Sequence, residues 1–197
     1  MSADSGLATF RDSGGLWEGN SIEDVATIQG WERDPEVVLD FYNKRRKQAF
    51  NATPNSGHEA LADLESYFDV DIITQNVDDL HEKAGSTSVL HLHGKLREAK
   101  SSRSHEHIID IEDREIQVGD KADDGSQLRP NVVWFGEAVP NIEPASIIVS
   151  KADILVVIGT SLVVYPAAGL IDYAGHNIPK FIVDPSEPQI RLGDNWT

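Results

Sequence analysis

The sequence predicts a doubly wound α/β fold built on a parallel sheet, with a smaller module inserted. Three observations carry that expectation. Short apolar runs (VDIIT, ILVVIGTS, KFIVD) alternate with helix-like segments. The runs are apolar throughout, as strands covered on both faces are. Each gives way to polar residues at its carboxyl end, where ligands bind in sheets of this kind. At 197 residues the chain is long enough for one well-cored domain.

The elements follow in order. After a Gly-rich start (GLATFRDSGGLWEG), Asp34-Pro35 marks a helix start: Asp caps, and Pro is tolerated in the first turn. That helix runs through EVVLDFYNKRRKQAF. A second helix fits HEALADLESYF, with Asn55 or Ser56 as its cap. The strand VDIIT, a short helix near VDDLHEKA and the strand SVLHL come next. Residues 97–128 are polar and rich in Ser, Asp and Gly, with one weak strand, EIQV, in their middle. Order resumes with the strand NVVWF, a helix around PASIIVSKA, the strand ILVVIGTS, a helix from Pro166 and the strand KFIVD.

Bulk properties narrow the partners. With 17 basic and 33 acidic residues the net charge is −16, which repels nucleic acid and anionic membranes. Neither is an expected partner, whereas basic protein segments are attracted. No cysteine is present, so disulfides and thiolate zinc sites are excluded. No apolar run approaches a membrane span and no signal peptide is visible, so the expected location is cytoplasmic.

Residues able to carry chemistry gather at strand ends. Gly159-Thr160-Ser161 reads either as a phosphate cradle of backbone N–H groups and hydroxyls, or as a plain turn and cap. Gln75, Asn76 and Asp78 either bond a sugar or amide, or cap the helix behind them. His93, followed by Gly94, is placed for general base work near neutral pH. His91 shares its strand face, which leaves a metal pair as the alternative. The HEH stretch at 105–107 offers a second pair, with no third ligand at fitting spacing. Tyr42 and Arg45 stand three apart on one helix face. They either hold a carboxylate, the Arg through its planar fork, or form a solvated basic patch beside a core tyrosine. Phe10 and Arg11 lie in a Gly-rich segment suited to a lid. Trp17 and Trp134 read as packing residues, and His58, His81 and His176 as packing or surface residues.

Five stretches in order, SADSGLATFRDSGGLW, TQNVDDLHEKAG, HLHGKL, LRPNVVWFGE and GTSLVVYPAAG, together resemble the sirtuins, the NAD-dependent protein lysine deacylases. The resemblance implies a single catalytic domain over 1–197. Within it, a helical insertion covers 17–57, a small module covers 97–129, and the remainder is Rossmann-like. It also implies NAD as cofactor and acylated-lysine proteins or peptides as partners. The family's acyl-lysine oxygen attacks the nicotinamide ribose, nicotinamide leaves, and an alkylimidate forms. A histidine then acts as general base toward a ribose hydroxyl, and the products are free lysine and O-acyl-ADP-ribose. By this resemblance His93 is the catalytic base, and Gln75, Asn76, Val77 and Asp78 line the nicotinamide and ribose pocket. Ala3, Phe10 and Arg11 match the cofactor-loop region. Gly159, Thr160 and Ser161 match the phosphate and ribose turn, while Asp184, Pro185 and Ser186 match the adenosine-ribose loop. Val133 and Phe135 match positions lining the acyl-lysine tunnel.

A finer likeness lies in EDVATIQGWERDPEVVLDFYNKRR, which resembles the branch that removes succinyl and related acidic acyl groups. There a Tyr-x-x-Arg pair binds the distal carboxylate and an upstream alanine leaves room. Tyr42, Arg45 and Ala26 stand in those places. Two departures matter. The family carries four zinc-binding cysteines between its HG and RP motifs, and this chain has none there. Either the small module folds without metal, which is the expectation here, or His105, His107 and nearby carboxylates substitute as ligands. The family also begins with an apolar strand and a Gly-Ala-Gly turn and ends with a segment closing over adenine. This chain runs from MSADSG to DNWT, so truncation at both ends is expected. ADP-ribosyl transfer and a non-catalytic remnant are the alternative functions.

Overall fold

The computed structural model describes residues 1–8, 16–17 (backbone), 19–104, 107–185 and 196–197. A 3-10 turn at Ser2–Ser5 is followed by a two-stranded antiparallel ribbon of β1 (Leu16–Trp17) and β2 (Asn20–Ser21). Two short helices come next: α1 (Ile22–Val25), capped by the Ser21 side chain, and α2 (Ile28–Arg33), capped by Thr27. Helix α3 (Pro35–Asn51) starts as the sequence predicts. The Asp34 carboxylate accepts the Val37 N–H, and Pro35 occupies the first turn. One face of α3, Val38, Phe41, Tyr42 and Ala49, is buried against Val25, Leu80, Leu96, Val132 and Trp134. Val38 and Leu80 are completely buried. Truncating Leu80 to Ala leaves a cavity costing about 2–5 kcal/mol.

Helix α4 (Ser56–Leu64) opens with a capping box in which Asn55 accepts from the helix and His58 Nδ1 accepts the Asn55 N–H. It ends at Leu64, short of the predicted Phe68. Residues 65–68 instead turn through bonds such as Tyr67 N–H to Leu64 O, leaving Tyr67 and Phe68 exposed. Strand β3 (Ile72–Thr74), helix α5 (Leu80–Ala84) and strand β4 (Val89–His91) follow, with β3 and β4 parallel in the register Thr74 to His91.

The region 94–132 is more regular than its composition suggests. Strand β5 (Gly94–Ser101) lies between β6 (Ile108–Asp110) and β7 (Leu128–Val132) in an antiparallel sheet of order β6-β5-β7. The weak strand expected at EIQV does not form. Ile116 is fully buried, and its N–H and C=O are taken by the Asn43 side chain at 3.0 and 2.9 Å rather than by a neighbouring strand. The strand expected at NVVWF is displaced toward the N-terminus, because Leu128, Arg129 and Pro130 pair with β5.

Helix α6 (Ile142–Lys151), strand β8 (Leu155–Ile158), a 3-10 helix (Ala167–Tyr173) and strand β9 (Lys180–Val183) follow. Strands β8 and β9 are parallel, in register Leu155 to Lys180. Leu92, Ala145, Val149, Ala167 and Leu170 bury α6 and the 3-10 helix against the sheet. Among the described residues no helix is long and apolar enough to cross a membrane.

Candidate active site at the ends of the parallel strands

Chain segments leaving β3, β4 and β8 converge. The β3 extension carries Gln75 and Asn76, whose carbonyls lie beyond the ladder and need other donors. Histidines supply them: His93 Nδ1 lies 3.1 Å from Gln75 O, and His91 Nδ1 lies 3.0 Å from Asn76 O. A carbonyl only accepts, so each Nδ1 carries a hydrogen. For a neutral His93 this leaves the lone pair on Nε2, the form a general base requires. Burial lowers the pKa of His93, opposed in part by its bond to Gln75 O. Among the described residues no group of three or more His, Asp or Glu is placed to hold a metal ion. His91 is further tied through Nε2 to Glu82 Oε1 at 2.9 Å, and Lys95 Nζ meets the same oxygen at 2.9 Å. Burial alone would raise the Glu82 pKa, but the bonds from His91 and Lys95 win and bring it to about 2.

The glycine after His93 serves packing. At φ 78 it lets the Asn131 carbonyl approach, and a Cβ there would lie 2.0 Å from that oxygen. Across the site, Gln75 Nε2 donates to Thr160 Oγ1 at 3.4 Å, and Asn76 Nδ2 donates to Ser2 Oγ at 2.7 Å. Asp78 is buried and accepts the Leu80 N–H at 3.3 Å, so it also helps start α5. The Val77 carbonyl accepts the Leu96 N–H at 2.7 Å. Gly159 sits at φ 61 at the end of β8, its N–H bonded to Val183 O, which places Asp184 and Pro185 one strand across. A Cβ on Gly159 would lie 3.1 Å from the Met1 nitrogen. Ala3 is exposed on the neighbouring 3-10 turn. Phe10, Arg11 and Ser186, expected at the cofactor, lie outside the described residues.

A second group adjoins these strands. Val133 N–H donates to His93 O at 2.9 Å, and Phe135 N–H donates to Ala26 O at 2.9 Å. The segment after β7 is thus held between His93 and α1. Ala26 is buried, and Phe135 is half exposed. Tyr42 is buried and accepts from Trp134 Nε1 at 3.0 Å; burial raises its pKa, so the phenol stays protonated. Arg45 is buried one turn along α3, with Nη2 donating to Ala8 O at 3.3 Å. Sequence reasoning passed over Ser2, the His91–Asn76 bond and the role of Trp134. A buried indole N–H needs an acceptor, and that rule alone could have flagged Trp134.

The small module does not fit a tetrathiolate zinc. Its hub is the buried Ser101 hydroxyl, 2.6 Å from Asp124 Oδ2 and 2.7 Å from Ser126 Oγ. The same oxygen accepts the Arg103 and Ser104 N–H groups at 3.0 and 3.1 Å. Its hydrogen-bonding capacity is spent, and a neutral hydroxyl is a weak zinc ligand. His105, considered as a substitute ligand, lies outside the described residues. The donor set at the strand ends suits a dinucleotide better: amides, hydroxyls and a glycine turn at the carboxyl ends of parallel strands.

Comparison with known proteins agrees. Residues 1–166 match the Sir2 family model. The chain is 56% identical over 190 residues to an NAD-dependent protein deacylase of Bacteroides thetaiotaomicron, covering 94% of this chain and 81% of that protein. It is 50% identical over 195 residues to an NAD-dependent protein deacylase of Helicobacter pylori, covering 99% and 85%. Among solved structures, a Sir2 homolog–NAD complex superposes with a TM-score of 0.86 at 42% identity, covering 95% of this chain and 75% of that one. A Sir2 protein bound to acetylated peptide gives 0.76 at 32%, covering 95% and 79%. With its parallel strand pairs, its histidine-buttressed strand ends and these likenesses, the chain belongs to the Sir2 family.

Proposed function

We propose that this Sir2 family protein removes acyl groups from protein lysines at the expense of NAD, and that it favours succinyl- or malonyl-type groups over acetyl. His93 carries the catalytic part of the reading. Its Nδ1–H is committed to the Gln75 carbonyl, which leaves Nε2 to take a proton. Gln75, Asn76, Val77 and Asp78, with Gly159, Thr160 and Ser161, would hold NAD, and Ala3, Asp184 and Pro185 lie at its edges. Phe10, Arg11 and Ser186 complete that set by position in sequence. When bound, NAD supplies an activated ribose carbon, with nicotinamide as the leaving group, that receives the acyl oxygen. The protein's share is to orient the nicotinamide amide through Gln75 and Asn76, exclude water, and accept a proton at His93 Nε2. Relatives named NAD-dependent protein deacylase support this reading, as do Sir2 structures with NAD and with acetylated peptide.

The acyl preference rests on Tyr42 and Arg45. They are buried, three residues apart on α3, and close enough that the Arg45 charge acts on the phenol. Ala26, buried in the same core cluster as Tyr42, would leave room for the longer chain, and Val133 and Phe135, tied by their N–H groups to His93 O and Ala26 O, would line the tunnel. A guanidinium meeting a carboxylate away from water contributes about 1.5–3 kcal/mol, or roughly 10- to 150-fold in discrimination. Mass spectrometry of this chain with NAD and matched succinyl- and acetyl-lysine peptides should show free lysine and O-acyl-ADP-ribose, faster from the succinyl peptide. Arg45→Ala should collapse the ratio of the two rates. An unchanged ratio removes the acidic-acyl reading.

A further inference from the structure

Trp134 lies between the two residues expected to line the acyl tunnel, yet its own side chain turns into the core, where it is 2% exposed. What holds it is unusually complete. The Arg129 guanidinium sits 3.3 Å above its ring, and the Trp31 ring lies 5.6 Å away, tilted by 37°. Arg129 is itself clamped by Glu137 in a two-pronged pair at 2.8 and 3.0 Å, and it donates to Val132 O at 3.0 Å. Glu137 also accepts the Trp134 backbone N–H at 2.8 Å. The indole therefore has one available pose, and its N–H points at the Tyr42 phenol oxygen.

An indole N–H only donates, so Tyr42 Oη must accept there. A phenolic hydrogen stays close to its ring plane and has two positions, one on each side of the oxygen. The donor from Trp134 occupies one side, so the hydrogen is turned to the other. Burial keeps that hydrogen on the oxygen at neutral pH. The phenol is thus presented as a donor, preset, beside the Arg45 cation.

We infer that Trp134, locked by the Arg129–Glu137 pair, is a positioning residue for acyl specificity: it orients the Tyr42 hydroxyl to donate to a carboxylate on the acyl chain. This rests on the acidic-acyl reading above. Trp134 does not touch the reacting atoms and works through Tyr42 alone.

The test is steady-state turnover of succinyl- and acetyl-lysine peptides at saturating NAD by wild type, Trp134→Phe, Tyr42→Phe and the double variant. Phenylalanine keeps an aromatic ring over Arg129 and removes the N–H. The ratio of succinyl to acetyl kcat/KM should fall about five- to tenfold in Trp134→Phe, the effect of one misoriented hydrogen bond. The loss should appear in KM for the succinyl peptide. Adding Trp134→Phe to Tyr42→Phe should change the ratio no further. A smaller folded fraction scales both rates and cancels in the ratio. An unchanged ratio in Trp134→Phe overturns the inference, as does a fall that persists undiminished when Tyr42 is already phenylalanine. If wild type shows no succinyl preference, the underlying reading fails with it. If Tyr42→Phe alters the ratio and Trp134→Phe does not, only the role of Trp134 fails.

Discussion

His93 owes its readiness to a carbonyl that the sheet leaves unpaired. Gln75 O holds Nδ1–H, and burial disfavours the imidazolium, so the pKa sits below its ordinary value of 6.5. Base catalysis needs the neutral ring, which is lost as pH falls through that lowered pKa. The acid limb of kcat/KM should therefore lie below pH 6.5, on a profile measured with saturating NAD. A limb above 6.5 would contradict this environment. The candidacy of His93 was legible from the HLHGKL stretch, but the reason for its tautomer was not. The partner carbonyl lies 18 residues away and comes into reach only through the parallel register of β3 and β4. Trp134 and Tyr42 are harder still, 92 residues apart and joined by side chains alone.

Helices α4 and α5 meet through two histidines. His58 and His81 are buried with ring centroids 4.9 Å apart, and His58 Nε2 and His81 Nδ1 have no partner among the described residues. Burial lowers both pKa values, that of His81 to about 4, and the neighbouring His58 ring lowers that of His81 further, while Asp78 works the other way on both. In the unfolded chain these rings take up protons near pH 6.5, which the folded form refuses. Stability must then fall as pH drops from 6.5 toward 4, by roughly 3 kcal/mol for His81 alone. Urea unfolding across that window should show the slope, and His81→Gln should flatten it; an equal slope in both proteins would exclude His81 as its source. Elements were legible where their signals are local. Asp34-Pro35 announced α3 because cap and first turn are neighbours in sequence. EIQV misled because Ile116 is apolar for a distant reason, its backbone bonded by Asn43 from 73 residues away.

The whole molecule carries a net charge of −16 and closes its small module without sulfur. Ser101, Asp124 and Ser126 form the closure, and the bonds from Ser101 and Ser126 hold the Asp124 pKa at about 2. Metal analysis after dialysis should find well below one zinc per chain, and a chelator should leave the thermal midpoint where it was. Ser101→Ala should lower that midpoint, at a cost of about 1–2 kcal/mol, because two backbone N–H groups lose their acceptor. Stoichiometric zinc or a chelator-sensitive midpoint would refute the account. A thiolate cluster is also a redox target: peroxide or an electrophile that takes one sulfur releases the metal and unravels what it held. This chain, with no cysteine and one methionine, offers almost nothing to attack. Its module should keep its shape where oxidants accumulate or zinc is scarce, the conditions in which a zinc-dependent counterpart would fall silent.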